Sequence, residues 1–318
     1  MLRRVLGRSG IEISAMGLGC WAIGGPFWRG DRGVGWSVVD DQESIRAVRR
    51  AMDLGVTLFD TADVYGCGHS EHILGRALGS RRENVLIATK FGTTFDEASK
   101  QAGDPCGDPK YIRQACTDSL SRLHTDVIDL YQFHAADFDL TRAVAVRDTL
   151  EDLVEEGKIR WYGWSTDDPA RAALFAEGPH CAAVQQRLNV LEGNRAMLRL
   201  CHDQHLASLN RSCLGMGLLT GKFDAGTTFP ADDVRHGWNL RDGPQAEQLA
   251  RLQRIRDVLT SGGRTLAQGA LAWLWALDSV TIPIPGFKTV QQVEENAGAI
   301  AHGPLAADQM RQIDEILS

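Results

Sequence analysis

Four reactive side chains stand just beyond short apolar runs of the sequence: Asp60 with Tyr65 after it, Lys90, and His134. A free phenol titrates near pH 10 and is a poor acid at neutral pH. An ammonium beside it stabilises the phenolate and lowers that pKa. A carboxylate paired with the ammonium keeps it charged and in place, and an imidazole adds a donor that orients a substrate oxygen. Such a set can give a proton to a developing alkoxide, which is what carbonyl reduction requires. No side chain carries a hydride, so a nicotinamide has to supply it. Each residue also has a plain structural reading: Asp60 caps a turn, Tyr65 packs, Lys90 ends an exposed strand, and His134 is a core histidine. Only their convergence at one place distinguishes chemistry from packing.

Convergence depends on the elements that carry them. β-branched apolar runs at 15–20, 57–60, 85–90, 127–134, 159–164, 183–186, 207–212 and 280–283 read as strands. Between them lie amphipathic stretches of helix length at 41–54, 70–78, 109–123, 141–156, 169–176, 194–205, 246–259, 265–277 and 289–299, with a last helix at 306–317. Ser70 reads as the cap of its helix, Pro109 as a first-turn proline, and Gly157 as a helix terminator. Residues 5–14 read as a hairpin around Gly7 and Gly10. Strict alternation of strand and helix implies a parallel sheet covered by helices. Two doubly wound sheets fit the count about as well, but no Gly/Pro/Ser-rich linker divides the chain. The favoured expectation is α/β, a (β/α)8 TIM barrel with an N-terminal β-hairpin and extra C-terminal helices, spanning 1–318 as a single domain. Active sites of such barrels lie at the C-terminal strand ends, where all four residues fall.

Composition narrows the function classes. The 318 residues carry a net charge of −7 and 43% apolar side chains, enough for a sizeable core and too apolar for disorder. An acidic balance argues against nucleic acid as the main partner. The longest uncharged stretch, 13–28, contains glycines and Pro26 and falls short of the roughly 20 apolar residues of a membrane span. The N-terminal stretch turns polar too soon for a secretory leader. Seven cysteines, scattered and without a C-x-x-C pair, suit a reducing compartment, so a cytoplasmic location is expected. Thirty-three glycines, about a tenth of the chain against a usual ~7%, suggest many tight turns and close backbone approaches.

Several motifs, taken in order, resemble the aldo-keto reductase superfamily. They are Asp60-Thr61-Ala62-x-x-Tyr65-Gly66, Lys90, Gln132-Phe133-His134, Gly163-x-Ser165, the run 214–222, and Ile284-Pro285-Gly286 with Glu295-Asn296. The resemblance runs from about residue 10 to 300. It implies a (β/α)8 barrel, NADP(H), no metal, and reversible reduction of an aldehyde, ketone or sugar-like carbonyl. By carry-over Tyr65 is the general acid, Lys90 and Asp60 tune it, and His134 orients the carbonyl. Trp21 and Asp60 then lie near the nicotinamide, and Ser165, Thr166 and Gln185 grip its carboxamide. Arg211 takes the place of a stacking aromatic, while Ser212, Leu214, Gly217 and Lys222 wrap the pyrophosphate. Gly286, Lys288, Thr289, Gln292, Glu295 and Asn296 fall where the family holds the adenosine 2′-phosphate. A helix N-terminus with Lys288 suits such a phosphate, which favours NADP over NAD. Thr166 in place of Asn, Arg211 in place of an aromatic, and Cys213 in place of Pro depart from the family pattern around the cofactor.

Other signals are weaker. Gly17-x-Gly19-x-x-Ala22 with Asp40 imitates a dinucleotide fingerprint. However, Gly24-Gly25-Pro26 stands where its helix should begin. The run 217–222 lacks the spacing and the Ser/Thr of a phosphate loop. His69/His72 and Cys201/His202/His205 have helical spacing that suits zinc, but solvated helix positions explain them as well. The loops 26–36 and 223–243 should shape a substrate pocket. Trp28, Trp36 and Trp238 are its candidate residues, or else tryptophans that pin the loops. The same catalytic set serves a sugar or polyol dehydrogenase running toward oxidation. A cofactor-sensing subunit like the channel β subunits is a further alternative, disfavoured by the intact four residues and the lack of an N-terminal extension. The expected partner is a small-molecule carbonyl or alcohol, with no nucleic acid and no membrane; homo-oligomerisation stays open.

Overall fold

The computed structural model describes residues 2–318. Its elements run β1 (Leu18–Gly19), α1 (Asp41–Asp53), β2 (Leu58–Asp60), α2 (His69–Leu78), β3 (Leu86–Phe91), α3 (Pro109–Leu123), β4 (Ile128–Phe133), α4 (Leu140–Glu155), β5 (Ile159–Ser165), α5 (Pro169–Ala176), β6 (Cys181–Asn189), α6 (Arg195–Asp203), β7 (Ala207–Arg211), α7 (Pro244–Thr260), α8 (Leu266–Leu277), β8 (Thr281–Pro283), α9 (Val290–His302) and α10 (Ala307–Leu317). The strands pair in parallel in sequence order from β1 to β8. A parallel bridge between Gly19 and Gly286 closes the ring. This is the expected (β/α)8 barrel.

Helix ends follow local chemistry. Asp40, Asp108, Asp139, Asp168 and Asn194 each accept main-chain N–H bonds at the first turn of the helix that follows. Pro109 and Pro169 occupy the first helical position, where a missing N–H costs nothing. Thr265 and Gln268 form a reciprocal capping box on α8. Ser70 departs from the sequence expectation. The N-cap of α2 is Gly68, without a side-chain bond. The Ser70 hydroxyl instead donates to Cys20 O at 2.7 Å and accepts from Thr61, tying the helix to two strand ends.

The first strand is also shorter than its apolar run. Gly17 and Gly19 donate to the carbonyls of Pro283 and Pro285 at 3.0 and 2.9 Å. Pro285 has no N–H to return to Gly17, so the ladder on that side is incomplete. The N-terminal hairpin (Arg3–Val5 with Glu12–Ser14) closes the base of the barrel. Leu6 and Ile13 cluster there with the inward residues Leu58, Leu86, Leu130 and Ile282. One feature escaped the sequence reading. Trp28–Arg29, Arg32–Gly33, Thr93–Asp96 and Gln101–Pro105 pair into a small four-stranded sheet over the mouth. No helix among the described residues is long and apolar enough to cross a membrane.

Candidate active site

Strand periodicity builds the site. Side chains alternate between the two faces of a strand. On β2, Leu58 faces the barrel interior and Phe59 the helices, so Asp60 faces inward; on β3, Leu86 and Ala88 lead in the same way to Lys90. Lys90 lies beside Gln132 of β4 in the register. Four polar side chains, Asp60, Lys90, Gln132 and Gln185, therefore form one buried layer at the C-terminal end.

The layer is fully connected around Asp60. Its Oδ2 accepts from Lys90 Nζ at 2.6 Å, and its Oδ1 accepts from Gln132 Nε2 and Gln185 Nε2 at 3.0 and 2.8 Å. Lys90 Nζ also donates to Thr61 O at 2.7 Å and to Tyr65 Oη at 3.3 Å. Burial by itself lowers the Lys90 ammonium; Asp60 and then Tyr65 outweigh it, and the net movement is upward. Lys90 thus stays charged although it is inaccessible. For Tyr65 the balance differs from the simple expectation of an acidified phenol. Burial pushes the phenol up, Lys90 draws it back only in part, and it remains protonated at neutral pH. His134 is held well below the usual imidazole range by burial, then by Lys90, Arg211 and Arg29, so it is neutral. Its ring stands edge-on to Tyr65 with centroids 5.7 Å apart.

The backbone around Tyr65 needs glycine. Gly66 has φ +59°, and a Cβ there would lie 1.9 Å from Gly24 O. This close approach brings the turn after β1 against Tyr65, so that Trp21 stacks on the phenol at 5.8 Å. Trp21 opens a short 3-10 turn, Ala22–Gly24, with no α-helix behind it. The glycine pattern at 17–22 is therefore not a dinucleotide fingerprint.

Tyr65 and His134 open into a cavity of about 730 Å³. Of the residues expected at a cofactor, Trp21, Asp60, Ser165, Gln185, Arg211, Ser212, Leu214 and Gly217 line it. Farther along, so do Lys222, Gly286, Lys288, Gln292, Glu295 and Asn296. Ser165 is paired with Gln185 across β5 and β6. Ser212 (φ 53°) and Met216 (φ 54°) hold left-handed backbone that only a constrained loop maintains. Thr166 does not reach the cavity; its hydroxyl donates to Ala136 O and accepts from Asp168 N. Thr289 likewise serves as the N-cap of α9. The α9 terminus is more occupied than the sequence suggested, because Glu43 of α1 accepts from Val290 N at 2.8 Å. Positive charge at this end comes instead from Lys222, Lys288 and Arg235.

Of the three candidate tryptophans, only Trp36 lines the cavity, edge-on to Trp21 at 5.5 Å. Trp28 belongs to the small sheet, and Trp238 packs on Phe229. Arg235, which belongs to no sequence motif, also lines the cavity. Its guanidinium lies 4.4 Å over Trp36 and 4.2 Å over Phe229 and is held by both oxygens of Asp233. Val234 N donates to Gly35 O at 2.8 Å, so the loop after β7 is strapped to the loop after β1. A lone Arg in an irregular loop carries no periodic signal that would have exposed this. Among the described residues no three His, Cys, Asp or Glu side chains converge to hold a metal, and His69 pairs with Asp41.

Known proteins share this architecture. A soybean (Glycine max) protein named probable aldo-keto reductase 1 is 32% identical over 98% of this chain and 87% of its own length. The glycerol dehydrogenase AKR11B4 from Gluconobacter oxydans superposes with a TM-score of 0.81 at 32% identity, covering 96% of this chain and 92% of that one. A Klebsiella pneumoniae aldo-keto reductase solved in complex with NADPH superposes with a TM-score of 0.69 at 25% identity, covering 100% and 96%. The sequence profile of the Aldo/keto reductase family matches residues 15–318, and the chain belongs to that family.

Proposed function

We propose that this protein is an NADP(H)-dependent oxidoreductase that reduces an aldehyde, ketone or sugar-like carbonyl to the alcohol, with Tyr65 as general acid. The observation that carries the reading is the Lys90 ammonium, which bridges Asp60 and the Tyr65 hydroxyl at the floor of an open cavity. The residues present suit a nicotinamide dinucleotide phosphate. Buried Nε1 atoms of Trp21 and Trp36 have no hydrogen-bond partner among the described residues. Lys222 and Lys288, both lowered first by burial and Lys222 next by Arg235, bring positive charge to the cavity lining, where an anionic cofactor would suit them.

When bound, the cofactor would supply the hydride, its nicotinamide being oxidised in exchange. Neutral His134 donates a hydrogen bond to the carbonyl oxygen and orients it. Tyr65 Oη hands its proton to that oxygen as negative charge develops there, so one hydride and one proton convert the carbonyl to an alcohol. Lys90 then stabilises the phenolate, and Asp60 with its two glutamine partners holds the ammonium still. Ser165 and Gln185 would receive the carboxamide, and Lys222, Lys288 and Arg235, which line the same cavity, the phosphates.

The test is loss of NADPH absorbance at 340 nm with a panel of carbonyls, run beside Y65F. Equal turnover by both proteins would sink the assigned mechanism. The same panel run with alcohols and NADP+ measures the oxidative direction, which the name of the Gluconobacter relative makes worth including. A purely cofactor-sensing role predicts NADPH binding without turnover in either direction.

A further inference from the structure

Beyond Tyr65 and His134 the cavity reaches a rim that the proposed reaction leaves unused. Arg29 and Arg32 are directly opposite one another in the antiparallel pair Trp28–Arg29 with Arg32–Gly33, and both line the cavity. Residues opposite in such a pair project from the same face, about 5 Å apart at Cβ, and like charges there are destabilising. Both side chains are exposed at the rim of the cavity. Among the described residues neither guanidinium pairs with a carboxylate or donates a hydrogen bond, and Asp31 at the turn between them pairs with neither. Arg211 and Arg235, in the same lining, are each held by a carboxylate, Asp167 and Asp233. Apolar side chains of the same lining, Phe27, Val34, Val64 and Ala102, cluster with Tyr65.

We propose that Arg29 and Arg32 form an anion subsite, and that the preferred substrates carry a carboxylate or phosphate ester joined to the reacting carbonyl by an apolar body. This rests on the reductase reading of the same cavity. A bound anion placed between the two guanidiniums turns a repulsive pair into two charge-assisted hydrogen bonds. Arg29 is also among the charges that act on His134 after burial, so the subsite and the carbonyl end share one electrostatic environment.

The experiment compares kcat/KM with NADPH for 4-carboxybenzaldehyde, 4-formylphenyl phosphate and neutral 4-formylbenzamide. It is run on wild type, R29Q/R32Q, R29K/R32K, and R199Q as a control for net charge on a remote exposed helix. Wild type is expected to favour at least one anionic aldehyde by roughly tenfold or more, from the usual strength of hydrogen bonds to charged groups. R29Q/R32Q should lose that preference through KM, and R29K/R32K should keep most of it. Whichever anion gives the larger ratio identifies the group recognised. Equal rates for charged and neutral aldehydes in wild type overturn the subsite but leave the reductase reading intact. A preference unchanged in R29Q/R32Q, or lowered as far by R199Q, also overturns it. Turnover of none of the three overturns both.

Discussion

The Lys90 ammonium, itself inaccessible, lies 2.6 Å from an oxygen of the almost fully buried Asp60 carboxylate. A buried pair of this kind contributes little net stability, because desolvation offsets the attraction, whereas removing one partner strands a charge. K90M is therefore expected to cost about 3–5 kcal/mol, seen as a lower Tm. D60N/K90M should be less destabilised than K90M alone. A double variant as unstable as the two single losses added together would show that the pair is not coupled.

Replacing the phenol tests the acid. Y65F removes the group that, among the described residues, both touches the Lys90 ammonium and presents an O–H to the cavity. We expect kcat to fall by about 10²–10⁴, the usual contribution of a positioned acid. NADPH affinity, read by quenching of tryptophan fluorescence, should stay within a few-fold of wild type. A change confined to KM would point to a binding role for Tyr65.

The pH profile follows from two opposite shifts. Reduction needs Tyr65 protonated, and burial moves the phenol above 10.0, so activity should be lost only as pH rises past that value. His134 must be neutral to donate without adding charge. Burial and its cationic neighbours move it well below 6.5, so activity should be lost only as pH falls well past that value. Between those limits kcat/KM for a neutral aldehyde should be flat. A limb with its midpoint inside the interval would mean that a different group controls the reaction.

Cofactor choice should depend on Lys288. Lys288, in the cavity lining, precedes the N-cap of α9, where Glu43 already occupies a helix N–H. Its ammonium donates to Ser37 O at 3.1 Å, and under the proposed function it is the cation offered to a 2′-phosphate. K288A should shift the NADP(H)-to-NAD(H) ratio of kcat/KM toward NAD by roughly 10–100-fold, the worth of a hydrogen bond to a charged group. An unchanged ratio would remove Lys288 from that role.

The base of the barrel should matter for stability and hardly for chemistry. Leu6 is fully buried in the hairpin that plugs it, among inward residues of β2, β3, β4 and β8. L6A is expected to cost about 2–5 kcal/mol in a urea titration. The fraction that remains folded should keep the wild-type kcat, because the reacting groups lie at the opposite end.

Much of this was legible in the sequence, for a local reason. Strands buried on both faces read as short apolar runs, helices as 3.6-period stretches, and caps such as Asp108-Pro109 as adjacent residues, so the alternation and most element bounds follow from neighbours in the chain. The inward phase of β2 and β3 also aims Asp60 and Lys90 at one layer, and the Asp60–Tyr65 motif carries its own spacing. Tertiary structure decided what depends on distant pairs. Glu43 meeting Val290, Ser70 bonding Cys20, and Arg235 lying over Trp36 join positions with no periodic relation. Folding likewise set Arg29 opposite Arg32 and made burial outweigh Lys90 at the Tyr65 phenol. Residue identity and spacing specify which groups can react, and folding sets their protonation and the shape of the space above them, because desolvation and charge act through space and not along the chain.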